Sequence, residues 1–186
     1  MKAGLLFLTA AIISMVGCTH VSPDNGNAGE DRDLIYAMAN SKPSDTGAVS
    51  AYESDYGFTI LLVKDPARTL ASLEIADYGL PYFSRFTRSE TVTPFLSFIS
   101  FTGGEVDLTY SVKLQRPDGT IDAKEYNNLR IEQRSRVSDG AHFPAREFAT
   151  ISFDQSYALG KYNIYITVRD KGNIKVAFEM RFELTE

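Results

Sequence analysis

Few side chains in this sequence are of types that do covalent chemistry, and their spacing decides what they can do. There is one cysteine, Cys18, and there are two histidines, His20 and His142. A thiol becomes a nucleophile beside a base or a positive charge, and a zinc site needs three or four converging ligands. His142 sits in "DGAHFPAREF", a predicted loop whose nearest acid in sequence is Asp139. That spacing fits a surface or loop-packing histidine better than a ligand, so no metal is expected. Paired carboxylates hydrolyse glycosides when held roughly 5–10 Å apart. In "GEDRD" (29–33) nothing fixes such a separation, and in "GGEVD" (103–107) Asp107 points outward on a predicted strand. Solvated charge accounts for both pairs. No GxSxG, P-loop or HExxH pattern is present. The expectation is a protein that is not an enzyme and carries no cofactor.

Two segments have the composition of contact surfaces instead. In "ADYGLPYFSRFTRSE" (76–90), Tyr78, Tyr82, Phe83 and Phe86 crowd around Gly79 and Pro81, with Arg85 and Arg88 interleaved. Aromatics with arginine make binding hot spots; the alternative is that Phe83 and Phe86 plug a core while only the tyrosines show. In "LRIEQRSRVSDG" (129–140), Arg130, Arg134 and Arg136 share one face with Glu132 if a strand runs through them. That stripe would suit an acidic partner or an anionic envelope polymer, or it is a wet face that blunts a sheet edge.

The start of the chain explains the cysteine. Lys2 precedes the apolar run "AGLLFLTAAIISMV", which suits a secretory signal and falls short of the roughly 20 residues that span a bilayer. The run ends in "MVGC", and this resembles the lipobox of bacterial lipoproteins. The resemblance implies that residues 1–17 are a signal peptide removed before Cys18. It also implies that Cys18 is lipidated as the first mature residue, holding the protein on a membrane. Thr19 stands where Asp would be the retention signal for the inner membrane, so the resemblance favours the outer membrane, facing the periplasm.

The formal net charge is −5, and cleavage would remove Lys2 as well. No basic excess exists to neutralise phosphates, so nucleic acid is not an expected partner. With no second cysteine for an intrachain disulfide, an exported domain must hold itself together by its core. A composition that is 44% hydrophobic and 12% aromatic allows this.

Residues 18–54 read as a polar tether rich in Ser, Asp, Asn, Gly and Pro, with a coil reach of about 30 Å. Within it "EDRDLIYAMANS" suits a short helix or a transient turn. From 55 to 186 the period is two. Val106, Leu108, Tyr110, Val112 and Leu114 alternate with polar partners before "RPDG", and "DKGN" joins alternating strands at 162–168 and 174–184. Weaker strands are predicted at 56–64, 69–75, 91–101, 126–133 and 147–153. Seven to eight close-spaced strands argue for an all-β antiparallel sandwich, with a small barrel as the alternative.

"SYALGKYNIYITVRDKGNIKVAFEMRFEL" is similar to the closing F and G strands of immunoglobulin-like domains. The resemblance implies an Ig-like or fibronectin-like sandwich with Gly160 at a corner and Tyr162 as the tyrosine-corner residue, its hydroxyl bonded to backbone just upstream. Fold alone implies no function. The features together suit an envelope lipoprotein that binds another envelope protein as accessory subunit or adaptor. Two alternatives remain. One is an inhibitor or immunity-type lipoprotein that uses "SDGAHFPARE" with Arg146. The other is a glycan-binding module that uses Tyr78, Tyr82 and Tyr165. A small-molecule ligand is not expected.

Overall fold

The computed structural model describes residues 43–73, 80–138, 140 and 142–186. The described residues form β1 (Pro43–Ser44), β2 (Ala48–Tyr52), β3 (Tyr56–Val63), the helix α1 (Pro66–Leu73), β4 (Arg85–Thr87), β5 (Thr91–Ser100) and β6 (Gly104–Gln115). The chain continues through β7 (Tyr126–Val137), β8 (His142–Pro144), β9 (Ile151–Ser152), β10 (Gly160–Asp170) and β11 (Asn173–Thr185). One sheet runs β1-β11-β10-β6-β7, with β4 also on β11; the other runs β2-β3-β5-β8, with β9 on β5. Among the described residues these are two layers of a sandwich with no closed barrel. Neighbours within each sheet are antiparallel except β1 and β4, which lie parallel to β11. β11, β10 and β6 lie side by side in that order in the first sheet.

The strands with the cleanest alternation form the centre of the first sheet. Val106, Leu108, Tyr110 and Val112 of β6 turn inward beside Ile164, Ile166 and Val168 of β10, all at most 1% exposed. They meet Phe58, Ile60, Leu62, Leu96 and Phe98 from the second sheet in one core. Tyr162 is fully buried, and its hydroxyl donates to the Ala158 carbonyl at 2.6 Å, the upstream backbone bond expected of a tyrosine corner. Burying that hydroxyl costs little because its hydrogen bond is made inside. Tyr110, likewise buried, donates to the Glu147 carbonyl at 2.7 Å, and desolvation pushes its phenol pKa up.

Three sequence expectations need correction. Where the sequence predicts a strand over 69–75, residues 69–73 are helical, as part of Pro66–Leu73. Asp65 caps α1, its Oδ1 accepting from the Arg68 N–H at 3.0 Å, and Pro66 opens the first turn, where its missing N–H costs nothing. The helix covers an apolar outer face: Leu61, Val63 and Phe95 form a second cluster beneath Leu70, Leu80 and Phe148. Among the described residues the sheets also start at Pro43, ahead of the expected boundary at residue 55. β1 and β2 lie within the expected tether, where Val49 and Ala51 pack on the core. The predicted strand at 147–153 shrinks to Ile151–Ser152. Cys18, the signal peptide and the helix expected near residues 30–41 lie outside the described residues.

Candidate docking surface

The aromatic segment singled out by sequence crosses from one sheet to the other. Leu80 packs on the outer cluster of the second sheet, and the Phe83 N–H donates to the Leu62 carbonyl at 2.9 Å. The Ser84 carbonyl then accepts from the Glu183 N–H at 2.9 Å, and β4 joins β11 in parallel. The crossing is anchored from beneath by rings. Phe83 meets Phe86 edge-on at 6.1 Å, and Phe86 meets Phe182 at 5.6 Å and 85°. Phe86 is thus core, as the alternative reading held, and Phe83 is half-buried above it. Tyr82 is left projecting at 50% exposure.

Two hollows flank this ridge. One, about 290 Å³, lies against α1 and is lined by Val63, Lys64, Arg68, Thr69, Pro81 and Phe83. The other, about 270 Å³, lies over β10 and β11, with Ser84, Arg85, Asp45, Lys161, Arg181 and Glu183 around it. Arg85 pairs with Glu183 at 3.0 Å, but its side chain is 78% exposed, so the pair is screened and adds little stability. Lys64 is positioned twice: Nζ sits 4.5 Å over the Phe83 ring and donates to Glu90 at 2.6 Å.

That hydrogen bond, then the Thr87 N–H, hold the Glu90 carboxyl below the usual carboxylate range. A carboxylate whose folded pKa is depressed contributes stability fully above its unfolded pKa, about 4.3, and loses it as pH falls through the folded value. The urea midpoint of Glu90→Gln is therefore expected to lie below that of the parent by a constant gap above about pH 5, closing at lower pH. A gap unchanged down to about pH 2 would mean that the Lys64 pair does not form.

The stripe predicted on β7 is kept in part: Arg130 and Arg136 stand opposite Thr109 and Glu105, outward positions of β6, while Glu132 stands opposite the buried Leu108. β7 pairs with β6 through register shifts at Val106/Asp107, Leu108/Thr109 and Tyr110/Val112, which break the two-residue period. Ile131 and Glu132 are consequently both buried, at 0% and 5%. Arg130 is held by Glu147, donating from its backbone N–H, Nε and Nη2 at 2.7–2.9 Å. Arg136 is exposed, and Arg134 is placed on β7 by its backbone alone. Arg130 and Arg136 also lie on the opposite edge of the first sheet from Arg85. Arg146, the loop arginine of the inhibitor reading, is paired with Glu132 at 2.8 Å. Tyr165, one of the glycan candidates, is 4% exposed and hydrogen-bonded to Gln115 at 3.0 Å. Tyr78 lies outside the described residues.

Sequence reasoning missed Lys161, Arg181 and Asp45 around Arg85; the signal was there for Lys161 and Arg181, polar positions alternating with buried ones on β10 and β11. Among the described residues no group of three or more His, Cys, Asp or Glu is placed to hold a metal ion. Among them no helix is long and apolar enough to cross a membrane.

No family model and no curated protein matches the chain. Solved structures that share part of its backbone path include two enzymes. A Pseudomonas fluorescens alkylpurine DNA glycosylase, AlkC, bound to DNA containing an abasic site analog, is 17% identical over 55% of this chain, with a TM-score of 0.36. A family 123 glycoside hydrolase from Clostridium perfringens is 13% identical over 76% of this chain, with a TM-score of 0.39. The chain spans 28% of the length of each, and at these scores neither likeness bears on function.

Proposed function

We propose that this chain is a non-catalytic lipoprotein of the bacterial cell envelope, anchored through Cys18, whose sandwich docks another envelope protein as accessory subunit or adaptor. The observation that carries the docking reading is Tyr82, half-exposed on a backbone pinned to both sheets and set between two hollows. An aromatic held on a rigid support contributes contact area without losing much conformational freedom on binding. Hollows beside it accept a partner's side chains, and Arg85 can trade Glu183 for a partner carboxylate at the rim, which tunes encounter more than affinity. The anchor rests on the lipobox resemblance at "MVGC".

A photocrosslinking residue at position 82 in intact cells is expected to capture one defined envelope protein, and the same residue at Asp118, in the exposed β6–β7 turn, is not. Cys18→Ser is expected to move the protein from the membrane fraction to the soluble periplasm or to leave it unprocessed. Normal cleavage with full membrane retention would remove the anchor reading. Equal capture from positions 82 and 118 would remove the docking reading.

A further inference from the structure

Three adjacent strands of the first sheet are buried on both faces at the same level. Every residue is buried from Tyr110 to Leu114 on β6, from Ile164 to Val168 on β10 and from Ala177 to Met180 on β11. The inward members of these runs belong to the core. The outward members are Ser111 and Lys113, Tyr165 and Thr167, and Ala177 and Glu179, all at most 8% exposed. Pairing sets them side by side: Tyr165 stands between Lys113 and Glu179, and Thr167 between Ser111 and Ala177. They make one patch three strands wide, about 10 Å from β6 to β11.

Water reaches the outer face of an uncovered sheet, and a side chain as small as Ala177 has too few atoms of its own to keep it out. Tyr165 is held down as well, its hydroxyl donating to Gln115 Oε1 at 3.0 Å, and desolvation, then the Glu179 charge, push its phenol pKa up. Tyr165 and Ala177 form an apolar cluster of their own, and among the described residues no apolar side chain packs over it. The helix α1 lies on the other sheet. A third layer therefore covers this face, made by chain outside the described residues.

That chain is 1–42, 74–79, 139 and 141. Residues 74–79 join the end of α1 to Leu80, on the outer cluster of the second sheet. Residues 139 and 141 flank Gly140, whose N–H donates to the Ser100 carbonyl of β5, also in the second sheet. The N-terminal stretch is left, and it arrives at the patch, because Pro43 pairs with Glu179. Between Cys18 and Pro43 the one apolar run is "LIYAMA" (34–39). At helical spacing Leu34, Ile35 and Met38 share a face, and residues 31–42 as a helix would extend about 18 Å, enough to cross three strands.

We infer that residues 31–42 are this third layer, laid across β6, β10 and β11 with Leu34, Ile35 and Met38 on Tyr165 and Ala177. The domain then starts near residue 31. The cover stands without the lipid anchor; its consequence for reach rests on the anchoring proposed above. With residues 18–30 alone as tether, the coil reaches about 20 Å, and the sandwich is held close to the lipid.

Maleimide labelling of the purified full chain carrying Cys18→Ser and Ala177→Cys reads the cover without a membrane and without position 82, so the anchor and ridge readings fail or stand separately. Labelling is expected to be slow, and Leu34→Asp with Ile35→Asp is expected to speed it about tenfold or more. Val168→Cys, inward on β10, is expected to stay slow in both backgrounds, which separates loss of the cover from unfolding. A photocrosslinking residue at position 38 is expected to join β10 or β11 of the same chain, and this decides the matter should the double substitution speed both positions alike. Fast labelling of Ala177→Cys with the segment intact, labelling unchanged by the double substitution, or a position-38 crosslink that reaches a second copy or misses β10 and β11 would each overturn the proposal.

Discussion

Phe182→Ala is expected to lower the unfolding free energy by about 3–5 kcal/mol, read as a fall in the urea midpoint with an unchanged slope. Phe182 is 2% exposed and stands at the meeting point of three other rings. Tyr162 stacks on it at 5.3 Å and 14°, Phe86 meets it edge-on at 5.6 Å, and Phe153 lies 5.8 Å away. Each neighbour is fixed from elsewhere: Tyr162 by its bond to Ala158, Phe86 by the β4–β11 pairing, and Phe153 by an edge contact with Tyr157. Fixed neighbours collapse poorly into a hole, so the cavity penalty adds to the lost burial. Domains of this size are stable by about 5–15 kcal/mol, so the change removes a large share. Phe182→Leu keeps most of the volume and is expected to cost about 1–2 kcal/mol. The same substitution reaches the candidate docking surface, because Phe86 loses the floor under the crossing segment. Amide exchange at Phe86 and Thr87 is expected to speed up more than exchange at β6. A destabilisation below about 1 kcal/mol would mean that the four rings do not pack as one cluster.

What the sequence made legible follows from how each strand is covered. β6, β10 and β11 alternate because one face packs in the core while the other carries side chains such as Arg181 and Glu183, and alternation is the signal a one-sided strand leaves. β3 carries a different signal: from Ile60 to Val63 every residue is buried, which announces a second layer over its outer face. That layer is α1, and residues 69–73 of the stretch read as the strand "TLASLEI" belong to this helix over the outer cluster. Local propensity did not separate the two: Thr69, Ala71 and Leu73 alternate as a strand would, while Thr69, Leu70 and Leu73 share one face of a helix.

The candidate surface was half legible for the same reason. Tyr82, Phe83 and Arg85 are close in sequence and stay together on the crossing segment, whereas on β7 the register shifts turn Glu132 inward, out of the row that spacing gave it with Arg130 and Arg136. Pairing partners such as Glu147 and Arg130, seventeen residues apart, are set by the path of the 145–147 segment, whose Arg146 and Glu147 N–H groups both donate to the Arg130 carbonyl. No spacing rule along the chain encodes that path. Tyr52 with Phe101 and Asp45 with Arg181 belong to the same class, being products of sheet order rather than of periodicity.

The ridge itself hangs on a residue with no side chain, and Gly47→Ala is expected to show it. Gly47 has φ +81°, in the left-handed region, where an alanine pays about 1–2 kcal/mol. A Cβ there would also fall 2.2 Å from the Phe83 carbonyl oxygen and 2.6 Å from its carbon. Both are backbone atoms, so no rotamer change relieves the contact, and one of the two segments has to move. Two hydrogen bonds are tied to that contact, from the Leu62 N–H to the Gly47 carbonyl at 2.8 Å and from the Phe83 N–H to the Leu62 carbonyl at 2.9 Å. The total expected loss is about 2–5 kcal/mol. Gly172→Ala separates strain from clash, since Gly172 has φ +84° but open space where its Cβ would go. It is expected to cost only the conformational part, about 1–2 kcal/mol. Crosslinking from position 82 should fail in Gly47→Ala and survive in Gly172→Ala, because only the first displaces the backbone that presents Tyr82. Equal losses of stability in the two variants, with crosslinking intact in both, would show that the contact between Gly47 and Phe83 does not hold the ridge in place.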